Sequence, residues 1–267
     1  MIKRAIKSFI NKFLMISDRN QKLIKMINRF LINFLKYVNN FMAQINFKKK
    51  ISRCRTFDDY VDLALSFEYS LFDTLNYKSE IKSLQNKLEI KNFVKIIKKK
   101  NPKIIVEIGT CKGGTLFLLS RFSSDDALII SLDLPTWNIY GGYGYLRGKL
   151  YRSFLLKHQK LILLAKDSHK ISALNEIETI LKNRTIDVLF IDGDHTYKGV
   201  KQDFKMYSPL VKKDGLIVFH DIVVHQSEEN CQVNEFWNEI KQNYKHQEIV
   251  DDWNQKHWGI GILYNNL

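Results

Sequence analysis

The sequence predicts an α/β protein in which a doubly wound sheet of seven strands follows a set of N-terminal helices. From residue 103 onward, short β-branched runs alternate with helical segments, and these runs are almost continuously apolar. Alternating strands and helices are typical of a parallel sheet covered by helices, and continuous apolar strands indicate burial on both faces. The last two runs are joined by only about four residues, too few for a parallel crossover, so the final strand is predicted to be antiparallel.

The positive charge of the protein is concentrated at its N-terminus. The chain has 42 Lys+Arg and 28 Asp+Glu, a net charge of +14. Residues 1–50 contain twelve basic residues and one acid, Asp18, so this part carries +11 and residues 51–267 carry only +3. Residues 1–50 are therefore predicted to form a basic arm. No uncharged apolar run approaches the ~18 residues of a membrane-spanning helix.

Two segments of the arm, 2–14 and 24–42, have apolar residues at helical spacing, with Lys and Arg mostly on the other face. Such helices can lie in an anionic membrane interface. They can equally pack on the protein's own core or on a second subunit, which would give a homo-oligomer. Nucleic acid is a weaker alternative, because base stacking needs aromatics on the basic surface and Phe34 and Phe41 fall on the apolar stripe.

Residues 51–100 are predicted to be a helical preface to the core, with helices over 57–73 and 77–100 that end before Asn101-Pro102.

The cysteines indicate the compartment in which the protein works. Cys54, Cys111 and Cys231 are odd in number and far apart, which indicates neither a disulfide framework nor a zinc-ligand spacing. A reducing cytoplasm is the expected compartment.

Residues 101–267 are predicted to be a Rossmann-like domain. The seven predicted strands are 103–108, 127–133, 161–165, 186–192, 215–220, 248–253 and 258–264. The predicted helices between them are 115–122, 171–181, 197–207 and 233–244. A stretch rich in Gly and Tyr, 135–148, is expected to be either a loop that covers the substrate or a plain surface connection.

The loop after the first strand has the composition of a cofactor-binding turn. Gly109, Gly113 and Gly114 allow a tight turn and a close approach to a ligand. The pattern is not the dinucleotide fingerprint, because Cys111 stands at one of its glycine positions. Glu107, inside the strand, would repel a pyrophosphate, and it suits a cationic cofactor that carries an amino group.

Further polar residues follow the next strands at the same predicted edge, where ligands bind in doubly wound sheets. Asp133 is placed to bind both hydroxyls of a ribose, and Asp167-Ser168 can meet an adenine amino group. Asp192 to His195 and His220-Asp221 end two adjacent strands, and such oxygen-rich clusters with an imidazole suit Mg²⁺ or Mn²⁺. His195 is the candidate general base, and the alternative is a role in orienting Asp192 or capping the next helix.

Residues 105–114 (IVEIGTCKGG), 190–200 (FIDGDHTYKGV), Asp203 and 216–222 (LIVFHDI) resemble the class I S-adenosylmethionine-dependent methyltransferases. The closer resemblance is to small-molecule O-methyltransferases, a group that includes cephalosporin-hydroxylase-like and sugar or macrolide enzymes. It implies a set of residues that contact S-adenosylmethionine, a metal-binding set and a catalytic pair. The cofactor set is Glu107, Gly109, Thr110, Gly113, Gly114, Asp133, Asp167, Ser168 and Asp192; the metal set is Asp192, His220 and Asp221; the catalytic pair is Asp192 and His195.

The resemblance also shows departures. His220 stands where these enzymes often have an acid, and His195 stands at the offset where catechol-type enzymes have a lysine. The expected function is methyl transfer to a hydroxyl of a small molecule or glycan, with a divalent metal as an optional aid. The alternatives are a nucleic-acid methyltransferase and a membrane-tethered binding module without catalysis. The expected location is the cytoplasm, either free or at the inner face of the membrane.

Overall fold

A computed structural model of the chain describes residues 21–72, 76–135, 143–226 and 230–266. The predicted helix over residues 2–14 lies outside the described residues, and so does half of the Gly/Tyr stretch, residues 136–142. The structure confirms the predicted fold class, because N-terminal helices precede a seven-stranded sheet that is mostly parallel.

The N-terminal part contains three helices among its described residues, and the two helices predicted within residues 51–100 are shorter than the sequence pattern suggests. The helices are α1 (Gln21–Ile51), α2 (Phe57–Ser66) and α3 (Lys87–Lys100). A capping box formed by Thr56 and Asp59 begins α2. The predictions of helix over 57–73 and 77–100 are wrong at the inner ends, where β1 (Phe67–Tyr69) and β2 (Ser79–Ile81) form a small antiparallel sheet. Helical periodicity in 67–81 is overridden by this pairing.

Helix α1 has two apolar faces. One is buried in the core through side chains four residues apart, among them Leu35, Ala43 and Phe47. The other is open to solvent and includes Phe30, which is 73% exposed, and Phe34, which is 52% exposed. The sequence pattern predicts a single apolar stripe, whereas the structure has two apolar faces. One face of the helix packs on the core, and the opposite face is exposed.

The strands of the main sheet are β3 (Ile104–Ile108), β4 (Leu128–Asp133), β5 (Lys160–Ala165), β6 (Ile186–Ile191), β7 (Val211–His220), β8 (Lys245–Ile249) and β9 (Ile260–Tyr264). Their order across the sheet is β5-β4-β3-β6-β7-β9-β8. β9 runs in the direction opposite to the other six strands of this sheet, as predicted. The connection between β8 and β9 spans residues 250–259, and is therefore longer than the predicted four residues.

Helices cover both faces of the sheet and create two hydrophobic cores. The N-terminal helices, α4 (Gly114–Phe122) and α5 (Tyr145–Arg152) cover one face, around Phe117 and Phe190. The second face is covered by α6 (Ile171–Leu181), α7 (Tyr197–Tyr207) and α8 (Val233–Ile240). Helix α5 lies in the stretch 135–148 and just beyond it, where the sequence predicts a loop. Among the described residues, no helix has the length and apolarity needed to cross a membrane.

Candidate active site

The loop after β3, residues 109–114, is called the glycine loop, and it packs against the backbone that follows β6. Gly109 has φ +86°, and its N–H donates to the carbonyl of Leu132 at 2.9 Å. A Cβ on Gly109 would lie 1.9 Å from the carbonyl oxygen of Asp192, so only glycine fits there. Gly113 is the N-cap of α4, and a Cβ on Gly114 would lie 2.1 Å from the backbone nitrogen of Ser83. The loop is thus held close to both β6 and the N-terminal segment.

Glu107 is a fully buried carboxyl with one satisfied and one unsatisfied oxygen. Its Oε2 accepts hydrogen bonds from Ser131 at 2.6 Å and Thr110 at 2.9 Å. Its Oε1 has no partner among the described residues. Burial raises the pKa of Glu107 to about 8, and the two hydrogen bonds offset only part of that effect. The hydroxyl of Tyr143 is hydrogen-bonded to the hydroxyls of Thr110 at 2.6 Å and Ser131 at 2.7 Å. Tyr143 therefore completes the hydrogen-bonded group around Glu107.

Asp133 ends β4 beside the glycine loop. Its Oδ2 accepts from the backbone N–H of Cys111 at 3.2 Å, and its Oδ1 accepts from that of Leu134 at 2.8 Å. Asp167 and Ser168 follow β5 farther along the same edge. The Asp167 side chain accepts from the N–H of His169 at 2.9 Å, and the Ser168 carbonyl accepts from the Tyr207 hydroxyl at 2.7 Å.

The ends of β6 and β7 bring two carboxylates and two imidazoles together. Nδ1 of His220 lies 3.1 Å from Asp192 Oδ1 and 3.1 Å from Asp221 Oδ2. His195 lies between the same acids, with Nε2 3.5 Å from Asp192 Oδ1 and Nδ1 3.6 Å from Asp221 Oδ2. Donor atoms of Asp192, His220 and Asp221 all lie within 4.8 Å of one another. The set predicted to hold a metal therefore converges in the fold.

The charges in this cluster stabilise one another. Burial alone would raise the pKa of Asp192 and Asp221, but the neighbouring histidines outweigh it and hold both pKa values below their usual range. Burial alone would lower the pKa of His195, whereas Asp192, Cys231 and Asp221 raise it to about 11. Asp221 and Asp192 likewise raise the pKa of His220 to about 10. Without a bound cation, both imidazoles are protonated at neutral pH, which differs from the near-neutral His195 expected from the sequence.

The structure adds residues that sequence reasoning missed. Gln85 is buried, and its Nε2 donates to Asp192 Oδ2 at 3.3 Å. The backbone N–H of Trp258 donates to Asp221 Oδ1 at 3.1 Å. Neither contact has a local sequence signal, because the partners are far apart in the chain. Tyr143 lies in the Gly/Tyr stretch, whose composition did indicate a role near the ligand.

Residues 106–222 match the family model described as a methyltransferase domain. This part of the chain, which contains the glycine loop and the cluster at the ends of β6 and β7, is therefore similar to a methyltransferase domain. Over 116 residues the chain is 33% identical to the uncharacterized protein R132 of Acanthamoeba polyphaga mimivirus, a match that covers 43% of this chain and 50% of that protein. The chain spans half or less of the length of the curated relatives it matches.

Two solved structures have a fold similar to that of the body of this chain. The O-methyltransferase TomG from Streptomyces achromogenes, solved in complex with SAM, is 13% identical with a TM-score of 0.50, covering 68% of this chain and 81% of TomG. A putative caffeoyl-CoA O-methyltransferase from Staphylococcus aureus is 19% identical with a TM-score of 0.50, covering 68% and 85%. At these identities the likeness concerns the fold.

Proposed function

We propose that the protein transfers a methyl group from S-adenosylmethionine to a hydroxyl of a small molecule or glycan. The observation that carries the proposal is the arrangement of two groups at one edge of the sheet. Glu107 and Asp133 lie by the glycine loop, and the cluster of Asp192, His195 and Asp221 lies beside them. A cationic cofactor and an acceptor hydroxyl are the ligands that suit these groups.

The residues of the loop fit a sulfonium cofactor. Glu107 Oε1 is buried without a described partner, which a protonated amine would supply. Asp133 offers carboxylate oxygens at the end of β4, where they suit ribose hydroxyls. Gly109 lets the loop lie against the backbone at Asp192, so the cofactor end and the chemical end of the site are in contact. Asp167 and Ser168 are proposed to border the adenine.

On the acceptor side, Asp192 and His195 are proposed to receive and hold the proton of the hydroxyl. His195 is 30% exposed, so an acceptor can reach it, and Asp192 fixes its orientation. A divalent cation held by Asp192, His220 and Asp221 would offset the carboxylate charge that keeps His195 protonated and would lower the pKa of a bound hydroxyl. Gln85 positions Asp192 from the opposite side.

The test is a turnover assay with methyl-labelled S-adenosylmethionine and a panel of hydroxylated sugars and phenols, with and without a chelator. Asp192→Asn should reduce transfer by about a hundredfold or more, in the range typical of acid–base groups. Asp194→Asn is the matched control, because Asp194 is an exposed acid in the same loop whose oxygen accepts from the N–H of Thr196 at 2.9 Å. Equal loss in both variants would contradict the assignment of Asp192.

We further propose that the protein works in the cytoplasm, at an anionic membrane surface that α1 contacts. Six exposed apolar side chains follow one another every three or four residues on the side of α1 opposite the core. They are Met26, Phe30, Phe34, Tyr37, Phe41 and Ile45. The sequence of α1 contains Lys and Arg but neither Asp nor Glu. A second copy of this helix would be repelled, whereas anionic headgroups attract it and the aromatics can enter the interface.

Vesicle flotation of the full chain tests this surface. The protein should float with vesicles that contain phosphatidylglycerol and remain behind with neutral phosphatidylcholine vesicles. The combined variant Phe30→Ser, Phe34→Ser and Phe41→Ser should lose flotation, while Trp253→Ser, which removes a 57% exposed aromatic elsewhere, should keep it. Equal flotation of the two variants would refute the role of α1. Deleting the arm is a poorer test, because Phe47 belongs to the core.

A further inference from the structure

A cysteine that no sequence pattern connects with the site lies against the catalytic cluster. Cys231 is 6% exposed and precedes α8. Cys231 is also one of the neighbours that raise the pKa of the His195 imidazole. Donor atoms of His195, Asp221 and Cys231 all lie within 4.8 Å of one another. One nitrogen, one oxygen and one sulfur ligand therefore face a common point, on three separate segments of the chain.

Backbone contacts hold these three segments together. The N–H of Gln232 donates to the carbonyl of His195 at 2.7 Å, which ties the residue after Cys231 to the loop that carries His195. The side chain of Gln232 accepts from the N–H of Tyr197 at 3.4 Å, at the start of α7 directly after that loop. Asp221 is fixed by the N–H of Trp258, which occupies Oδ1 and leaves Oδ2 facing the imidazoles. The three donors are thus positioned by the fold.

The spacing and chemistry of the donors distinguish this group from a Mg²⁺ site. Tetrahedral Zn²⁺, with bonds of about 2.0–2.3 Å, places its ligand atoms roughly 3.3–3.7 Å apart. His195 Nδ1 and Asp221 Oδ2 are 3.6 Å apart. Mg²⁺ selects oxygen ligands and binds thiolates poorly, whereas a set of sulfur, nitrogen and oxygen suits Zn²⁺ and related ions.

We propose that His195, Asp221 and Cys231 form a binding site for a thiophilic divalent cation of the Zn²⁺ class. The site shares Asp221 with the set that would hold a hard cation, Asp192, His220 and Asp221, but it differs in its other ligands. Binding exchanges the protons of the Cys231 thiol and the His195 imidazolium for the metal ion. While such an ion is bound, His195 is a ligand and is not free to accept a proton, a consequence that rests on the proposed function.

Cobalt titration of the full chain tests the site without S-adenosylmethionine or an acceptor. Co²⁺ replaces Zn²⁺ in such sites, and a thiolate ligand gives it a charge-transfer band in the near ultraviolet. The protein should show this band at one equivalent of Co²⁺, and Zn²⁺ should abolish it by displacement. Absence of the band at saturating Co²⁺ would overturn the proposal, whether or not the protein is a methyltransferase.

Matched cysteine variants locate the ligand. Cys231→Ser should lose the band and bind Co²⁺ about tenfold or more weakly. Cys111→Ser, in the glycine loop, and Cys54→Ser, whose sulfur donates to the carbonyl of Lys50 at 3.4 Å, should keep it. His195→Gln should weaken binding while its circular dichroism spectrum remains that of the folded protein. A band that survives in Cys231→Ser, or that is lost in Cys111→Ser, would contradict the assigned ligand.

Discussion

Replacing Glu107 with glutamine should make the folded protein more resistant to alkaline pH. The folded state raises the pKa of this carboxyl from 4.5 to about 8 because burial disfavours its charged form. The folded state therefore binds the proton more tightly than the unfolded chain does. The contribution of this protonated carboxyl to the free energy of unfolding is fully present below pH 4.5. It is lost as the pH rises from 4.5 toward 8.

The magnitude follows from the size of the shift. Raising the pKa from 4.5 to about 8 corresponds to a free energy of about 5 kcal/mol. About half of this loss, roughly 2–3 kcal/mol, falls between pH 6 and pH 9. Glutamine has a similar shape and no charge, so the variant should not undergo this loss.

Urea denaturation at pH 6, 7.5 and 9 measures the effect. The free energy of unfolding of Glu107→Gln, relative to wild type, should rise by roughly 2–3 kcal/mol from pH 6 to pH 9, with unchanged m-values. Glu178→Gln, on the exposed side of α6, controls for the loss of one carboxyl at the surface. If the pH profiles of wild type and Glu107→Gln are parallel, the carboxyl is not destabilised by burial.

Three further predictions concern the same edge of the sheet. Gly109→Ala should destabilise the protein by about 3 kcal/mol or more in denaturant unfolding, because its Cβ would overlap the Asp192 carbonyl. The control variant Gly148→Ala, inside α5, should be tolerated. Equal destabilisation by the two variants would contradict the close packing of Gly109 against Asp192. S-adenosylmethionine binding at pH 7 should release more protons from wild type than from Glu107→Gln, and calorimetry detects this release as a binding enthalpy that depends on the buffer. The same buffer dependence in both proteins would show that Glu107 takes no part in cofactor binding. Glu89→Gln should lower the free energy of unfolding in urea by about 2 kcal/mol. The Glu89 carboxylate anchors the connection between β8 and β9, because it accepts hydrogen bonds from the N–H groups of Asp251 and Gly259 at 3.0 and 2.9 Å. A change within 0.5 kcal/mol would contradict this anchoring role.

The sheet and the convergence of its polar residues could be predicted because they rest on local patterns. Alternating apolar runs mark the strands, and acids such as Asp133 and Asp192 follow the runs directly. Parallel strands bring their carboxyl ends to one edge, so sequence position alone places these residues together. The metal set of Asp192, His220 and Asp221 converges for the same reason.

Other parts of the site depend on contacts between distant segments and have no local signal. Gln85 reaches Asp192 across 107 residues, and Trp258 reaches Asp221 across 37. The strand pairing of Phe67–Tyr69 with Ser79–Ile81 also overrides a helical pattern. Cys231 joins His195 only through the fold, which is why the cysteine spacing indicated no zinc ligand.

Calorimetric titration of the full chain with S-adenosylmethionine tests whether the glycine loop and Asp133 bind this cofactor. We expect binding in the micromolar range, with no binding of NAD. We also expect Asp133→Ala to bind S-adenosylmethionine about ten- to a hundredfold more weakly, because a charged acceptor of hydrogen bonds is lost. An absence of S-adenosylmethionine binding, or equal affinity in wild type and Asp133→Ala, would contradict the proposed cofactor site.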